Sequence, residues 1–158
     1  MIIGGAQENT LLNCLDLMHD FDDDVLLITG KEVLSQGRAG ELAICKLANL
    51  RRSIHPIRDI KGRAELRQVI RKFKPDVVHT HSAKGGILGR AVAWSEHVPA
   101  IIHSVHGAPF HQYQPALTRT LYRTCERWAA KRCHHMVCVA DAMTDLMVDA
   151  DVAPREKF

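Results

Sequence analysis

The sequence predicts a single α/β domain in which helices cover both faces of a parallel β-sheet. Short apolar, β-prone runs alternate along the chain with amphipathic helical segments at the spacing of βα units. The best of these runs end in polar side chains, as strands do when their carboxyl ends carry a site. The length of 158 residues suits one hydrophobic core and is too short for two full domains.

The N-terminal part begins with a glycine loop and a helix. Gly4 and Gly5 form the loop, and residues 6–19 carry apolar side chains at helical spacing. Residues 25–29 form a short apolar run between three aspartates and Gly30, which predicts a buried strand. Residues 31–61 have a weaker pattern, in which a loop and a polar turn at His55-Pro56 are the clearest features.

The remaining elements follow in regular alternation. Leu66, Val69, Ile70 and Phe73 fall at the spacing of one helix face. Helices are predicted at 62–73, 86–95, 115–132 and 142–149, and strands at 76–80, 100–105 and 136–139.

Composition excludes several classes of protein. The net charge of +3 is too small to indicate nucleic-acid binding. The five cysteines are scattered and never spaced as CxxC, so neither a disulfide framework nor a zinc finger is indicated. The first residues lack the basic and apolar regions of a signal peptide, and no apolar run reaches eighteen residues. These features predict a cytoplasmic protein without a membrane span.

The segment 74–89, KPDVVHTHSAKGGILG, carries the strongest indication of a site. Polar side chains from His79 to Ser82 stand where an apolar strand ends, and Lys84-Gly85-Gly86 precede an apolar helix. Backbone N–H groups at the beginning of a helix are free to face an anion. The carboxyl edge of an open α/β sheet is also where ligands bind, so this segment predicts a binding site.

Several motifs in the chain keep the order of a known family. These are GGAQENTLL, KPDVVHTHSAKGGILGR, VPAIIHSVHG, ERWAAKRCHHMVCVADAM and APREKF. Together they resemble the N-terminal domain of family 4 glycosyltransferases, which are retaining enzymes of the two-Rossmann-domain GT-B architecture. The resemblance implies a Rossmann-like domain that forms the acceptor-side half of a hexosyltransferase. Its partners would be a nucleotide-sugar donor and a hydroxyl acceptor, and it would need neither cofactor nor metal.

The same resemblance suggests roles for individual residues. Three loops after strands should converge on one cleft at the carboxyl edge of the sheet, and His106 would act catalytically by contacting the transferred sugar. A histidine suits this role because it can donate a hydrogen bond near neutral pH. The other residues implied in donor or substrate binding are Gly4, Gly5, Gln7, His81, Ser82, Lys84 and Gly107.

The chain departs from the family pattern at both ends. Only Met1, Ile2 and Ile3 precede Gly4, where the family has a full first strand. The chain stops at Phe158, where the family continues into a second, donor-binding Rossmann domain. The resemblance therefore implies a truncated first strand, an absent C-terminal domain, and a fragment that is inactive on its own.

Two other functions remain open at this stage. His79 and His81 point to the same face of a strand and could share a metal ion, since HTHS resembles the HxH of metal-dependent phosphoesterases and amidohydrolases. Those enzymes need further ligands from a larger barrel. The alternative is a non-catalytic sugar- or nucleotide-binding module. His103 has the pattern of a core histidine, and His134 and His135 that of solvent-facing loop residues.

The helix predicted at 115–132 has a basic stripe. Arg119, Arg123, Arg127 and Lys131 recur every four residues, and Leu117, Leu121, Cys125 and Trp128 occupy a second face. A solvated face explains such a stripe most simply. Because many glycosyltransferases of this architecture act on lipid-linked acceptors, the stripe also suggests peripheral contact with the inner membrane face.

Overall fold

The computed structural model describes residues 1–3, 24–30, 43–51 and 53–158. In these ranges the chain forms one sheet of six strands, and every neighbouring pair is parallel. The strands are β1 (Ile2–Ile3), β2 (Leu26–Thr29), β3 (Ala43–Lys46), β4 (Val77–His81), β5 (Ala100–Val105) and β6 (His135–Cys138). Their order across the sheet is β3-β2-β1-β4-β5-β6, which is the Rossmann order. The predicted α/β, Rossmann-like fold class is confirmed.

Four α-helices lie within the described ranges. They are α1 (Pro56–Phe73), α2 (Ala83–Ser95), α3 (Ala116–Ala130) and α4 (Asp141–Asp149), followed by a short 3-10 turn (Arg155–Lys157). The core between the sheet and these helices contains the fully buried Leu66, Val78, Ile101, Met136 and Met147. The helix predicted at 6–19 and the loop around Gly37 and Gly40 lie outside the described residues.

The first strand is short but occupies the centre of the sheet. Ile2 and Ile3 pair with β2 on one side and with β4 on the other. The amino group of Met1 donates to the carbonyl of Val77 at 2.8 Å, and the Met1 carbonyl accepts from the N–H of His79 at 2.9 Å. The strand expected to be truncated is therefore two residues long, and those residues join the two halves of the sheet.

The sequence-based expectations were wrong between residues 43 and 61. Strand β3 was missed because its residues are exposed or half-buried, so they lack a buried apolar pattern. The predicted polar turn at His55-Pro56 is instead the beginning of α1. The N–H of His55 donates to the Asp59 carboxylate at 3.2 Å, and Pro56 takes the first helical position, where no N–H is needed.

Helix α2 begins at Ala83, three residues before the predicted beginning at residue 86. Gly86, which was predicted to precede the helix, and Gly89 are required by packing. A Cβ on Gly86 would lie 2.4 Å from Cε1 of His103, and one on Gly89 would lie 2.7 Å from Cγ2 of Thr80. Only glycine allows the helix to approach the sheet this closely.

Candidate functional site

The carboxyl ends of β4 and β5 bring two predicted site residues together. In the parallel register, His81 stands opposite Ser104, so the residues that follow Ser104 continue along the same edge. Nδ1 of His81 lies 2.9 Å from Nε2 of His106, and the two rings stack at 5.2 Å between centroids. The expected convergence is confirmed for His81 and His106. Gly4, Gly5 and Gln7, which were expected in the same cleft, lie outside the described residues.

His79 joins this pair to form a histidine cluster of His79, His81 and His106. Its ring centroid is 4.3 Å from that of His81, and its Nε2 lies 2.8 Å from the hydroxyl oxygen of Ser104. The two strand histidines therefore share one face, as their spacing predicted. Within the described part of the chain, no group of three or more His, Cys, Asp or Glu residues is arranged to hold a metal ion.

Ser82 makes the turn between β4 and α2 in a strained conformation. Its φ is 63° and its ψ is 159°, a region that side-chain-bearing residues rarely occupy. The carbonyl of Ser82 accepts a hydrogen bond from the N–H of Gly86 at 2.8 Å. Of the N–H groups of Lys84-Gly85-Gly86 that were predicted to be free to face an anion, that of Gly86 is therefore engaged, because it closes the first turn of α2.

Lys84 is turned toward α1. Its ammonium forms an ion pair with Asp59 and donates to the carbonyl of Ser53, at the beginning of that helix. The Lys84 ammonium, which was expected to line the cleft for the acceptor, is therefore already bound within the protein. In this structure Lys84 therefore links two helices, and the site residues near the cluster are Ser82 and Gly107.

A cavity of about 40 Å³ lies beneath the loop of His106 and Gly107. Its polar lining side chains are those of Ser82, His103, Ser104, His106 and Glu126. His103 is 3% exposed, and its Nδ1 lies 2.9 Å from the Thr80 hydroxyl oxygen. The prediction of a hydrogen-bonded core histidine is confirmed.

Sequence reasoning missed a buried ion pair next to this cavity. Arg90 on α2 donates from Nη2 to Oε2 of Glu126 on α3 at 2.7 Å, and both residues are almost fully buried. A signal was available in the helical periodicity. Glu126 falls in line with Tyr122 and Ala129 on the inward face of α3. A carboxylate on such a face needs a buried cationic partner.

Residues 3–158 match the family model described as Glycosyltransferase Family 4. The chain belongs to glycosyltransferase family 4. Within this family 4 chain, 88 residues are 39% identical to the UDP-Gal:alpha-D-GlcNAc-diphosphoundecaprenol alpha-1,3-galactosyltransferase of Escherichia coli. That match covers 56% of the chain and 23% of the relative.

Solved structures of low sequence identity share the fold. The UDP-GlcNAc 2-epimerase of Rickettsia bellii superposes with a TM-score of 0.67 at 15% identity, over 99% of this family 4 chain and 42% of the epimerase. The Neisseria meningitidis UDP-GlcNAc 2-epimerase, solved with UDP-GlcNAc bound, superposes with a TM-score of 0.62 at 14% identity, over 99% of this family 4 chain and 44% of the epimerase. The family 4 chain thus spans less than half the length of these proteins.

Burial keeps the strand histidines of the family 4 chain uncharged. Desolvation, followed by the electrostatic influence of His79 and His106, lowers the pKa of His81 to about 3. Burial is also the main cause that lowers the pKa of His79 and of His103. His81 is therefore neutral near pH 7, and one hydrogen is shared between its Nδ1 and Nε2 of His106.

This low pKa predicts that acid destabilises the fold. Because the pKa of His81 lies below that of an unfolded histidine, the unfolded chain binds more protons between about pH 6.5 and 3, so stability falls as pH falls. Between pH 7 and pH 5, the low pKa of His81 alone should lower the free energy of unfolding by about 2 kcal/mol. Urea unfolding at both pH values measures the loss, and His81→Leu should remove this share. An unchanged pH dependence in that variant would contradict the assignment.

Two members of the basic stripe are bound within the family 4 chain. Arg123 donates to the carbonyl of Ala150 at 2.7 Å, and Arg127 donates to the carbonyl of Asp151 at 2.6 Å. Both guanidinium groups thus attach α3 to the end of α4. The apolar second face points outward instead: Leu117, Leu121 and Trp128 are 84%, 56% and 44% exposed.

His134 and His135, which were predicted to be solvent-facing loop residues, are both exposed, but only His134 lies in a loop. His134 precedes β6, and its Nδ1 accepts a hydrogen bond from the N–H of Ile101 at 2.9 Å. His135 is the first residue of β6.

None of the described helices is both long enough and apolar enough to cross a bilayer.

Proposed function

We propose that this chain is the acceptor-side half of a two-domain, GT-B glycosyltransferase that moves a sugar from a nucleotide-sugar to a hydroxyl acceptor. Family membership supports the reaction class. The observation that carries the proposal is the contact of His81 with His106 at the carboxyl edge of the parallel sheet. Open α/β sheets bind their ligands at this edge.

The geometry of the cluster suits His106 for contact with the transferred sugar. His106 uses Nε2 to contact His81, so its Nδ1 is the nitrogen that serves the substrate. If the neutral His81 donates from its Nδ1, His106 carries its own hydrogen on Nδ1 and donates to a sugar hydroxyl. His81 thus orients the catalytic ring. Ser82 and Gly107 border the bound sugar, and the family resemblance assigns Gly4, Gly5 and Gln7 to donor binding.

The family and its relative suggest the substrates. The Escherichia coli relative is named for a UDP-galactose donor and an N-acetylglucosamine-diphospholipid acceptor. We propose a UDP-hexose as donor and a sugar carried on a lipid diphosphate as acceptor, with retention at the transferred carbon. A second Rossmann domain would hold the nucleotide and its diphosphate.

The 158 residues alone are expected not to catalyse transfer. The leaving diphosphate requires cationic side chains or helix N-termini. In the described part of the chain, Lys84 is paired with Asp59 and Arg90 with Glu126, so neither charge is available. An open, one-sided cleft also leaves the ligand hydrated. We expect nucleotide-sugar affinity no better than about 1 mM, or roughly 4 kcal/mol.

Calorimetric titration of the purified chain with UDP-galactose, UDP-glucose and UDP-N-acetylglucosamine tests this expectation. Weak or undetectable heat is expected with all three. Micromolar binding, or transfer by the chain alone, would disprove the two-domain proposal.

The two alternative functions fare differently. No observation favours a metal-dependent hydrolase, because Nε2 of His79 contacts Ser104, Nδ1 of His81 contacts His106, and the described residues hold no group of three or more metal-ligating side chains. A non-catalytic sugar-binding module would share the fold and the cluster. Turnover by the two-domain enzyme distinguishes it from the proposal, since a binding module transfers no sugar.

We also propose that the protein is cytoplasmic and contacts the inner membrane face peripherally through α3. Leu117, Leu121 and Trp128 form an exposed apolar stripe. Lys131 lies beside it, and the guanidinium of Arg132 stacks 3.7 Å over the Trp128 ring. Arg123 and Arg127 contribute less than the sequence suggested, because α4 binds them. An apolar stripe with adjacent cations suits an anionic lipid surface.

Vesicle binding tests the membrane proposal. Sedimentation with vesicles that contain anionic phospholipid should retain the wild-type chain, and Leu117→Ser with Leu121→Ser should weaken binding at least about tenfold. The matched control is Ile57→Ser with Ile60→Ser on α1, because these side chains are similarly exposed, at 62% and 70%. Equal effects from both pairs would contradict a role specific to α3.

A further inference from the structure

The ion pair beneath the His106 loop is only half satisfied. Arg90 is 0% exposed and Glu126 is 1% exposed. Arg90 donates from Nη2 to Oε2 of Glu126 at 2.7 Å and from Nε to the carbonyl of Gly86 at 3.0 Å. Among the described residues, Oε1 of Glu126 and Nη1 of Arg90 have no hydrogen-bond partner. A bidentate pair would have used both carboxylate oxygens.

The unpartnered carboxylate belongs to a residue that lines the cavity under His106 and Gly107. The cavity volume is about 40 Å³. At 10–15 Å³ for each water-sized sphere, it has room for roughly three such groups. Two other polar side chains of the lining already have hydrogen-bond partners, because His103 is hydrogen-bonded to Thr80 and Ser104 is hydrogen-bonded to His79. A hydrogen-bond donor from outside the protein therefore fits the carboxylate best.

The partner must be an uncharged donor of small size. A buried carboxylate oxygen without a donor is unfavourable, so either water or a ligand O–H group fills this place. A second cation is excluded because Arg90 already neutralises Glu126. His106 borders the same cavity, so a sugar held by His106 would place its hydroxyl groups within reach of Glu126.

We infer that the cavity is a subsite for one hydroxyl group of a sugar held at His106, and that Oε1 of Glu126 accepts its hydrogen bond. The inference rests on the proposed function, in which His106 contacts a sugar. Arg90 is a positioning residue, which holds Oε2 of Glu126 and leaves Oε1 for the cavity. The hydroxyl comes from the sugar of the donor or from that of the acceptor, and water occupies its place in the free protein.

Met147 provides a direct reporter, because its buried side chain also lines the cavity. The isotope-labelled methyl group of Met147 and the ring of His106 can be followed by NMR in the 158-residue chain. The probes are UDP-galactose, UDP, and the methyl glycoside of N-acetylglucosamine, each raised above millimolar concentration. UDP alone should leave the Met147 resonance unchanged. A response of Met147 to UDP-galactose identifies the donor as the source of the hydroxyl, and a response to the methyl glycoside identifies the acceptor.

Two kinds of variation test the role of Glu126. Among monodeoxy analogues of the active probe, one should lose the Met147 response while it still shifts His106. Arg90→Met combined with Glu126→Leu removes both charges at similar volume, an exchange that folded cores often tolerate, and the Met147 response should vanish. Arg71→Met with Glu96→Leu removes an ion pair that does not line the cavity, so it serves as the control and should keep both responses.

The outcomes separate the subsite from the proposed function. If His106 responds to a sugar and Met147 does not, the cavity holds water only, and the subsite is disproved while the proposed function stands. A Met147 response that survives in the Arg90→Met/Glu126→Leu chain also disproves it. If neither reporter responds to any probe, the subsite is disproved, while the proposed function, which expects weak or undetectable binding by this chain alone, is decided by turnover of the two-domain enzyme. The series of deoxy analogues uses the wild-type chain, so it tests the hydroxyl subsite even if the double variant does not fold.

Discussion

Replacing His106 by Ala in the proposed two-domain enzyme is expected to lower the turnover number by roughly 10²-fold, as the loss of one preorganised donor commonly does. The reason is the position of the ring. Nε2 of His106 contacts Nδ1 of His81 at 2.9 Å, so the imidazole is oriented before the sugar arrives. A donor that needs no reorganisation stabilises charge in the transition state more than in the ground state.

Steady-state kinetics and thermal unfolding together decide whether His106 has this role. The turnover number should fall in His106→Ala, while the melting temperature stays close to that of the wild type. His111→Ala is a suitable control, because His111 is an exposed histidine in the same connection between β5 and α3. If His106→Ala leaves the kinetics unchanged and lowers the melting temperature, His106 is a turn residue and the assignment is wrong.

Buried apolar runs made most of the fold predictable. Strand β5 was predicted at its observed bounds, and β4 and β6 were predicted to within a residue at each end, because their alternating or continuous apolar residues lie in the core. Strand β3 has no such pattern at the exposed edge of the sheet. The beginning of α1 was obscured by Gly62, whose low helix propensity suggested a boundary. Gly62 stands inside the helix because the absence of a side chain leaves room for the backbone carbonyl of Asn49.

The candidate site was predictable where topology alone determines it. The contact of His81 with His106 follows from two parallel neighbouring strands that end at one edge. The direction of Lys84 does not follow, because it depends on Asp59, which is 25 residues earlier in the sequence and on another helix. The pairing of Arg90 with Glu126 likewise joins two helices that are distant in sequence. Local patterns carry no information about which buried charges will meet.

The other large effect is expected at this buried pair. Replacing Glu126 by Gln, or Arg90 by Met, should lower the free energy of unfolding by about 3–5 kcal/mol. Each single change leaves one polar or charged group buried without its partner, and desolvation of that group is no longer offset. For a domain whose total stability is of the order of 5–15 kcal/mol, this is a large share.

The double variant, Arg90→Met with Glu126→Leu, should recover most of that loss. It removes both charges together and leaves apolar side chains of similar volume, which are well tolerated in a core. Urea unfolding at pH 7 of the wild type, the two single variants and the double variant forms a complete double-mutant cycle. The pair of Arg155 with Asp145 gives the comparison, because both side chains are more than half exposed, at 62% and 55%, and exposed pairs contribute only about 0–1 kcal/mol. If the Arg90 and Glu126 single variants cost as little as that surface pair, neither buried charge depends on the other for its stability. Arg90 would then not be the residue that positions the carboxylate of Glu126.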